Sequence, residues 1–366
     1  MQTVSLCMIV KNEEENIVRC LSSVRGLMDE IVVVDTGSTD NTRHAAEKLG
    51  ARVYDFPWCD DFAAARNFSF SKANMDYCMW LDADDIMTES DGQAFLRLKN
   101  ELSPDIDVVM MKYHTAFDEA GRPCFTYYRE RLLRRDMGFI WEGAVHESIQ
   151  PRGNIIHSDI AVCHMKKTSG DPDRNLRIYE KQLAAGHTLS PREQFYYARE
   201  LMYHSRYPEA AEKLHDFIEN SSGWVENKLE ACRDLSACYS ALGRTEDAFA
   251  ALTRALSFSE PSAELCCDIG DMFFAREDFS SAVFWYTSAM NADSRDLNGG
   301  FSMPDAHGYI PCLQLCVCHY RLGSIELSAE YNERAAAFKP ESEICRGNRE
   351  FFSRLFSDSL GTVTPQ

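Results

Sequence analysis

The sequence predicts an α/β domain built on a parallel sheet, followed by an all-α domain of helical repeats. Two observations carry this expectation. Up to about residue 165, apolar strand-like runs alternate with amphipathic segments, the pattern of a parallel sheet covered on both faces. From about Asp171 the strands stop, and four helical stretches superpose on one another. A chain of 366 residues is long enough for two ordinary domains, each with its own core. The expected boundaries are 1–170 for the α/β domain, 171–356 for the repeats and 357–366 for a C-terminal tail.

The elements follow in order. "VSLCMIV" (4–10) is a first strand, followed by a helical pattern from Glu14 to Leu27. "EIVVVD" (30–35) is a second strand, and the helix after it ends at Gly50, a residue suited to a C-cap. "RVYDFPW" is a short third strand, "DFAAARNFSFSKA" a helix, and "YCMWLDADD" a fourth strand. A more irregular β-rich stretch follows, with "VVMMKYHTAF", "RERLLRR" and "GFIWEGAVHESI".

In the second half, Ala210, Ala248, Ala282 and Ser328 fall at one small-residue position, at offsets of 38, 34 and 46 residues. Ala198, Ser236, Gly270 and Cys316 fill a second such position, and Ala255, Ala289 and Ala335 a third. Small residues recur where two helices approach closely. The stretch resembles the tetratricopeptide repeat, a helix pair of about 34 residues.

Bulk composition removes several classes of function. A net charge of −19 argues against nucleic acid or an anionic membrane surface as the main partner. No apolar run approaches the roughly 20 residues of a membrane span, and the charged N-terminal stretch does not read as a secretory signal. Fourteen cysteines without a CxxC pair suit free thiols in a reducing, cytoplasmic setting.

The chemistry concentrates at the carboxyl ends of the strands, where open α/β sheets bind ligands. Those ends read "KNEE", "DTGSTD" and "DADD". In the last, Asp82, Asp84 and Asp85 are crowded together, either as a solvated loop whose Asp85 or Thr88 caps the next helix or as a divalent-cation site. No GxGxxG follows the first strand and no GxxxxGK[ST] occurs, so phosphates lack a glycine cradle. In extended chain, residues two apart share a face, so Asp82 and Asp84 are expected to face one pyrophosphate and its Mn2+ or Mg2+. Asp35 is expected to point into the same crevice, with a turn carboxylate as its other reading.

"VSLCMIVKNEEENIVRCLSSV", "DEIVVVDTGSTDNT", "ARNFSF" and "WLDADD", in this order, resemble glycosyltransferase family two, inverting enzymes of Rossmann-like GT-A fold with a DxD motif. With the fused repeats, the chain resembles the subgroup of sublancin-type S-glycosyltransferases. Its N-terminal half is also similar to lipopolysaccharide-core glucosyltransferases. The resemblance implies nucleoside contacts at Val10, Glu13, Asp35 and Arg66, a ribose contact at Asp82 and a metal–diphosphate contact at Asp84. Asp85 either caps the next helix or approaches sugar hydroxyls.

Inverting transfer needs a base. "WEGAVHE" (141–147) offers Glu142 and Glu147, and the subgroup carries a G-x-V/I-H-E element matched by Gly143, Val145, His146 and Glu147. His146 and His164 compete to be a further metal ligand or a diphosphate donor, and Trp141 is a candidate sugar platform or a core residue. Lys166, Lys167 and Arg174, in the polar stretch 166–175, are candidates to close over the diphosphate.

The expected function is transfer from a nucleotide-diphospho-sugar, a UDP-sugar foremost, to a peptide or protein acceptor presented with help of the repeats. The alternatives are a cell-envelope or lipid-linked saccharide acceptor, with the repeats serving oligomerisation as in a homodimer, and a non-catalytic repeat scaffold with a decayed transferase domain.

Overall fold

A computed structural model describes residues 1–165, 171–293 and 303–361. The chain divides into two compact units, the first spanning Met1–Glu200.

Among the described residues, the first unit is built on ten strands. They are β1 (Val4–Val10), β2 (Glu30–Asp35), β3 (Arg52–Asp55), β4 (Tyr77–Trp80), β5 (Asp85–Ile86), β6 (Val108–Phe117), β7 (Pro123–Arg134), β8 (Trp141–Glu142), β9 (Ser148–Ile149) and β10 (Ile155–His164). Eight form one sheet in the order β3-β2-β1-β4-β7-β6-β10-β5, and β8 and β9 form a separate hairpin. As expected from the sequence, β3, β2, β1 and β4 run parallel. The sheet as a whole is mixed, because β7 pairs antiparallel with both β4 and β6, while β10 lies parallel to β6.

Helices α1 (Glu14–Ser23), α2 (Thr42–Lys48), α3 (Phe62–Ser71) and α4 (Glu89–Glu101) cover the faces. Alternation along the strands assigns the faces. Val4, Leu6, Met8 and Val10 of β1, with Tyr77 and Met79 of β4, pack in one cluster with Ile17 and Leu21 of α1 and Phe95 of α4. Cys7, Cys78 and Trp80 face the other way, towards Ala63 and Phe70 of α3. Each wholly buried side chain of the size of Leu6 or Ile17 contributes about 1.5–3 kcal/mol. Helix α1 stops at Ser23, short of the expected Leu27, and Gly26 turns the chain at φ +79°.

Helix α4 is capped by Thr88, whose hydroxyl accepts the Asp91 amide. Asp85 is not the cap. Two further helices, α5 (Arg174–Ala184) and α6 (Pro191–Tyr203), extend the packing. Ile178, Tyr179 and Leu189 bury Ala144 and Val145 with Trp58 and Phe62. The first unit therefore runs on past residue 170 to Glu200.

The second unit holds the helices α7 (Tyr207–Asn220), α8 (Val225–Ala241), α9 (Thr245–Ala255), α10 (Ala263–Ala275), α11 (Phe279–Asn291), α12 (Tyr309–Arg321), α13 (Ile325–Phe338) and α14 (Glu343–Gly361). Consecutive helices pack against one another, as a repeat array requires. The matched small positions are buried: Ala210, Ala248, Ala282, Ser328, Ala255, Ala289 and Ala335 have no exposure. At Gly270 an added Cβ would lie 2.7 Å from the Tyr286 ring, so only hydrogen fits between α10 and α11. Helix α14 continues beyond residue 356, where a tail was expected. Among the described residues, no helix is long and apolar enough to cross a membrane.

Candidate active site

The carboxylates after β4 sit in a turn. The Asp85 amide donates to the Asp82 carbonyl at 3.0 Å, and the chain reverses into β5, which pairs with the end of β10 so that Asp85 lies opposite His164. Asp82 and Asp84 are thus not on one face of extended chain, as the sequence suggested. The crowding of three negative charges is resolved by giving each its own partner.

Asp85 is wholly buried and paired with Arg131, Oδ2 to Nη1 at 3.1 Å. It also accepts the Tyr113 hydroxyl at 2.9 Å and the Asp82 amide at 3.0 Å. With the His164 ring also 3.3 Å from Oδ1, these partners hold the carboxylate in place, and it does not cap the following helix. Arg131 lies 3.8 Å from the centre of the Trp80 ring and 4.2 Å from that of Tyr113. Its Nε and Nη2 have no hydrogen-bond partner, as expected for a guanidinium held between aromatic faces. Nothing in the sequence signalled Arg131 or Tyr113 beyond their place in strand-like runs.

Asp82 is held by Arg66 of α3, Oδ1 to Nη2 at 2.7 Å. Burial would raise the Asp82 carboxyl, but the charge and hydrogen bond of Arg66 outweigh it and hold it below the usual range. Arg66 also binds Glu147, Nε to Oε1 at 2.5 Å. Burial alone would lower the arginine, and the two carboxylates raise it instead. Its guanidinium packs on Trp80 at 5.0 Å and Trp141 at 4.8 Å. The neighbouring Asn67 secures the hairpin of β8 and β9, donating to the Trp141 carbonyl at 2.9 Å and accepting its amide at 2.8 Å. Arg66 and Asn67 together join α3, the Asp82 turn and the hairpin. Trp141 itself is buried at 2 % exposure under Arg66 and against Trp80, a core residue rather than a sugar platform.

Asp84 is the carboxylate left over. Among the described residues no arginine reaches it, and His164 Nδ1 lies 3.3 Å from its Oδ1. Burial first, then the charges of Asp82 and Asp85, push its carboxyl up to about 6, with His164 opposing. His164 is raised: burial opposes this, but the hydrogen bond of Asp85 and the charges of Asp84 and Asp85 prevail. Asp84, Asp85 and His164 offer ligand atoms within 4.8 Å of one another. This donor set fits a divalent cation: Asp84 and His164 are partly accessible, and among the described residues no arginine or lysine pairs with the Asp84 carboxylate. Asp82 and Asp85, spent on arginines, complete the negative field.

His146 goes elsewhere. Its backbone is left-handed, φ +52°, which turns the ring towards α6, where Nε2 meets Glu200 Oε1 at 2.9 Å and the ring stacks on Tyr196 at 4.2 Å. It is therefore not part of the Asp84 cluster. Of the base candidates, Glu147 faces Arg66, whereas Glu142 follows the buried Trp141 in β8 and is exposed on the opposite side of the hairpin.

At the ends of β1 and β2, Val10 and Asp35 lie side by side in register. Both Asp35 oxygens accept the Ser38 amide at 3.2 Å, and Oδ1 accepts the Ser38 hydroxyl at 2.5 Å, so Asp35 is the turn carboxylate. Asn12, at φ +56°, accepts the Thr39 amide at 2.7 Å and donates its own to Ser38 at 2.9 Å. Glu13 accepts Asn16 at 2.8 Å at the start of α1. The two loops are thereby sewn together around Asp35. Arg174 opens α5 with its guanidinium 4.6 Å from the Phe62 ring, and Lys166 and Lys167 lie outside the described residues.

Residues 5–148 match the family model of Glycosyl transferase family 2. The matched stretch contains every residue of the Arg66–Asp82–Glu147 triad and Asp84. Three curated relatives are informative. A TPR repeat-containing protein of Synechococcus elongatus is 44% identical over 102 residues, 28% of this chain and 25% of that protein. An uncharacterized glycosyltransferase of Rickettsia typhi is 38% identical over 89 residues, 24% of this chain and 30% of that protein. The SPbeta prophage-derived glycosyltransferase SunS of Bacillus subtilis is 27% identical over 240 residues, 60% of this chain and 54% of that protein. The chain thus spans between a quarter and about half of these relatives' lengths. Among solved structures, glucosyl-3-phosphoglycerate synthase from Mycobacterium tuberculosis is similar at 26% identity over 31% of this chain and 44% of that one, with a TM-score of 0.27.

Proposed function

We propose that the first unit is a metal-dependent, inverting glycosyltransferase that takes its sugar from a UDP-sugar. The observation that carries this reading is Asp84 beside His164 at 3.3 Å, with no arginine or lysine partner among the described residues, in a stretch that matches the family 2 model. Asp84 and His164 would hold Mn2+ or Mg2+, which when bound stabilises the departing diphosphate as a Lewis acid. Asp82, fixed by Arg66, is positioned for the ribose. Val10, Glu13 and the loops around Asp35 would form the nucleoside wall. Glu147 is the base: one oxygen is held by Arg66, leaving the other to take the acceptor's proton as the sugar transfers. The acceptor is a peptide or protein side chain, with the repeats of the second unit supporting its presentation, a role suited to an extended array of paired helices.

The test is thermal stability against UDP-, GDP- and CMP-sugars with and without Mn2+, for the native chain, Asp84→Asn and His164→Ala. A ligand at 100 times its Kd adds about 2.7 kcal/mol to the native state. A Mn2+-dependent rise with UDP-sugars, absent in both variants, is expected. A flat panel for the native chain, or shifts that survive both substitutions, would sink the reading.

A further inference from the structure

The G-x-V-H-E segment contains a histidine that the metal cluster does not use. His146 adopts a left-handed backbone, φ +52°, and the preceding Gly143 another positive φ of +96°. A non-glycine residue in that conformation carries a cost of order 1–3 kcal/mol and persists only where the surroundings hold it. Here the surroundings are four groups from the helices α5 and α6. Tyr196 stacks on the imidazole at 4.2 Å with planes 15° apart. Glu200, itself buried, meets Nε2 at 2.9 Å and also accepts Asn175 Nδ2 at 3.0 Å. Arg192 Nε donates to the His146 carbonyl at 3.0 Å. Beneath the segment, Tyr179 donates to the Val145 carbonyl at 3.4 Å.

The residue that follows is Glu147. Because His146 is left-handed, its side chain and that of Glu147 diverge, one to α6 and the other to Arg66. Releasing His146 to an ordinary conformation would rotate the backbone at Glu147 and move its carboxylate off Arg66. We propose that His146 is a positioning residue, locked by Glu200 and Tyr196 so that Glu147 stands ready as the base. Helices α5 and α6 are then working parts of the transferase site. This rests on the reading of Glu147 as the base of a glycosyltransferase. Misplacement of a catalytic group by about 1 Å costs on the order of 10²-fold in rate, so the anchor has a measurable consequence.

The experiment follows Mn2+-dependent hydrolysis of UDP-sugars by the full chain, with water as acceptor, alongside Mn2+ affinity and hydrogen exchange over 141–149. Three variants separate the possibilities. His146→Asn tolerates a left-handed backbone but is too short to reach Glu200. Glu200→Ala removes the anchor, and Glu200→Gln retains a hydrogen-bonding group at the same reach. In His146→Asn and Glu200→Ala, kcat should fall about ten- to a hundredfold, exchange over 141–149 should quicken, and KM for the donor and Mn2+ affinity should stay unchanged. Glu200→Gln should restore most of the kcat. Loss of Mn2+ affinity in His146→Asn would make this histidine a metal ligand instead. Unchanged kcat and exchange in both anchor variants would overturn the positioning role while leaving the transferase reading intact. A native chain that neither hydrolyses UDP-sugars nor binds them with Mn2+ would remove both.

Discussion

Asp82, Asp84 and Asp85 stand within four consecutive positions, yet they meet Arg66, His164 and Arg131 respectively. Each pairing has its own consequence. A cation bound there would compete with protons at Asp84, raised to about 6, and at His164, also raised. Both groups must be deprotonated to serve as ligands, so Mn2+ binding should tighten as pH rises through about 6 and weaken below it. Calorimetry in two buffers of different ionisation enthalpy should register proton release on binding near pH 6, and pH-independent affinity between 5 and 7.5 would count against these ligands. Arg131→Met leaves Asp85 buried without its cation, which should cost about 3–5 kcal/mol. Urea denaturation should show that loss, and the double variant Arg131→Met with Asp85→Asn should recover part of it.

At this scale the sequence was a good guide where chemistry is concentrated in a short motif and a poor one where it depends on remote partners. The crowding at Asp84 was legible because acidic residues behind an apolar strand need a cation or water, whereas His164 was one of two histidines the sequence left in competition. Arg131, Tyr113 and Asn67 were not, since their roles arise only when β7, β6 and β8 come together. His146 was misjudged as a possible metal ligand because the left-handed backbone that turns it towards Glu200 has no signature in residue type.

Among the elements, hydrophobic alternation disclosed β1, β2 and β4, whose residues divide cleanly between the two faces of the sheet. It did not disclose the two-residue strand β5, and it marked β8 and β9 only as part of an irregular β-rich stretch, since both are too short to show a period. Nor did it show that β7 would be inserted between β4 and β6, since strand order depends on which edges meet. The helices of the second unit were legible through recurring small residues, and Gly270 shows the physical reason. Gly270→Leu would press a side chain into the Tyr286 ring, which already lies 2.7 Å from the position of a Cβ. Overpacking of this kind costs about 1–3 kcal/mol, and the urea midpoint should fall accordingly. A leucine tolerated there without loss would mean that α10 and α11 do not approach as described.

For the whole molecule, the sequence placed a change of rule near residue 170, where strands give way to helices. Packing places the end of the first unit at Glu200 instead, because α5 and α6 bury Ala144 and Val145. Periodicity records what kind of element is present, not which core it joins. A chain ending at residue 170 should therefore melt at lower temperature than one ending at Tyr203, and bind more of a dye that reports exposed apolar surface. Equal melting of the two would show that α5 and α6 are dispensable to the first unit.

The cysteines carry a practical consequence. All fourteen are free, and twelve are buried. Burial pushes the thiols of Cys163, Cys238 and Cys266 up to about 11 and those of Cys232 and Cys318 up to about 12, leaving almost no thiolate at neutral pH. Cys59 alone is exposed, in the loop between β3 and α3, two residues before the Asp61 cap of the helix that carries Arg66. A thiol-reactive fluorophore should thus attach first at Cys59 without any engineering, on the helix entrance nearest to the arginine that grips Asp82, with the half-buried Cys124 as the slower second address. The untouched protein already supplies its own handle for testing whether a nucleotide sugar arrives.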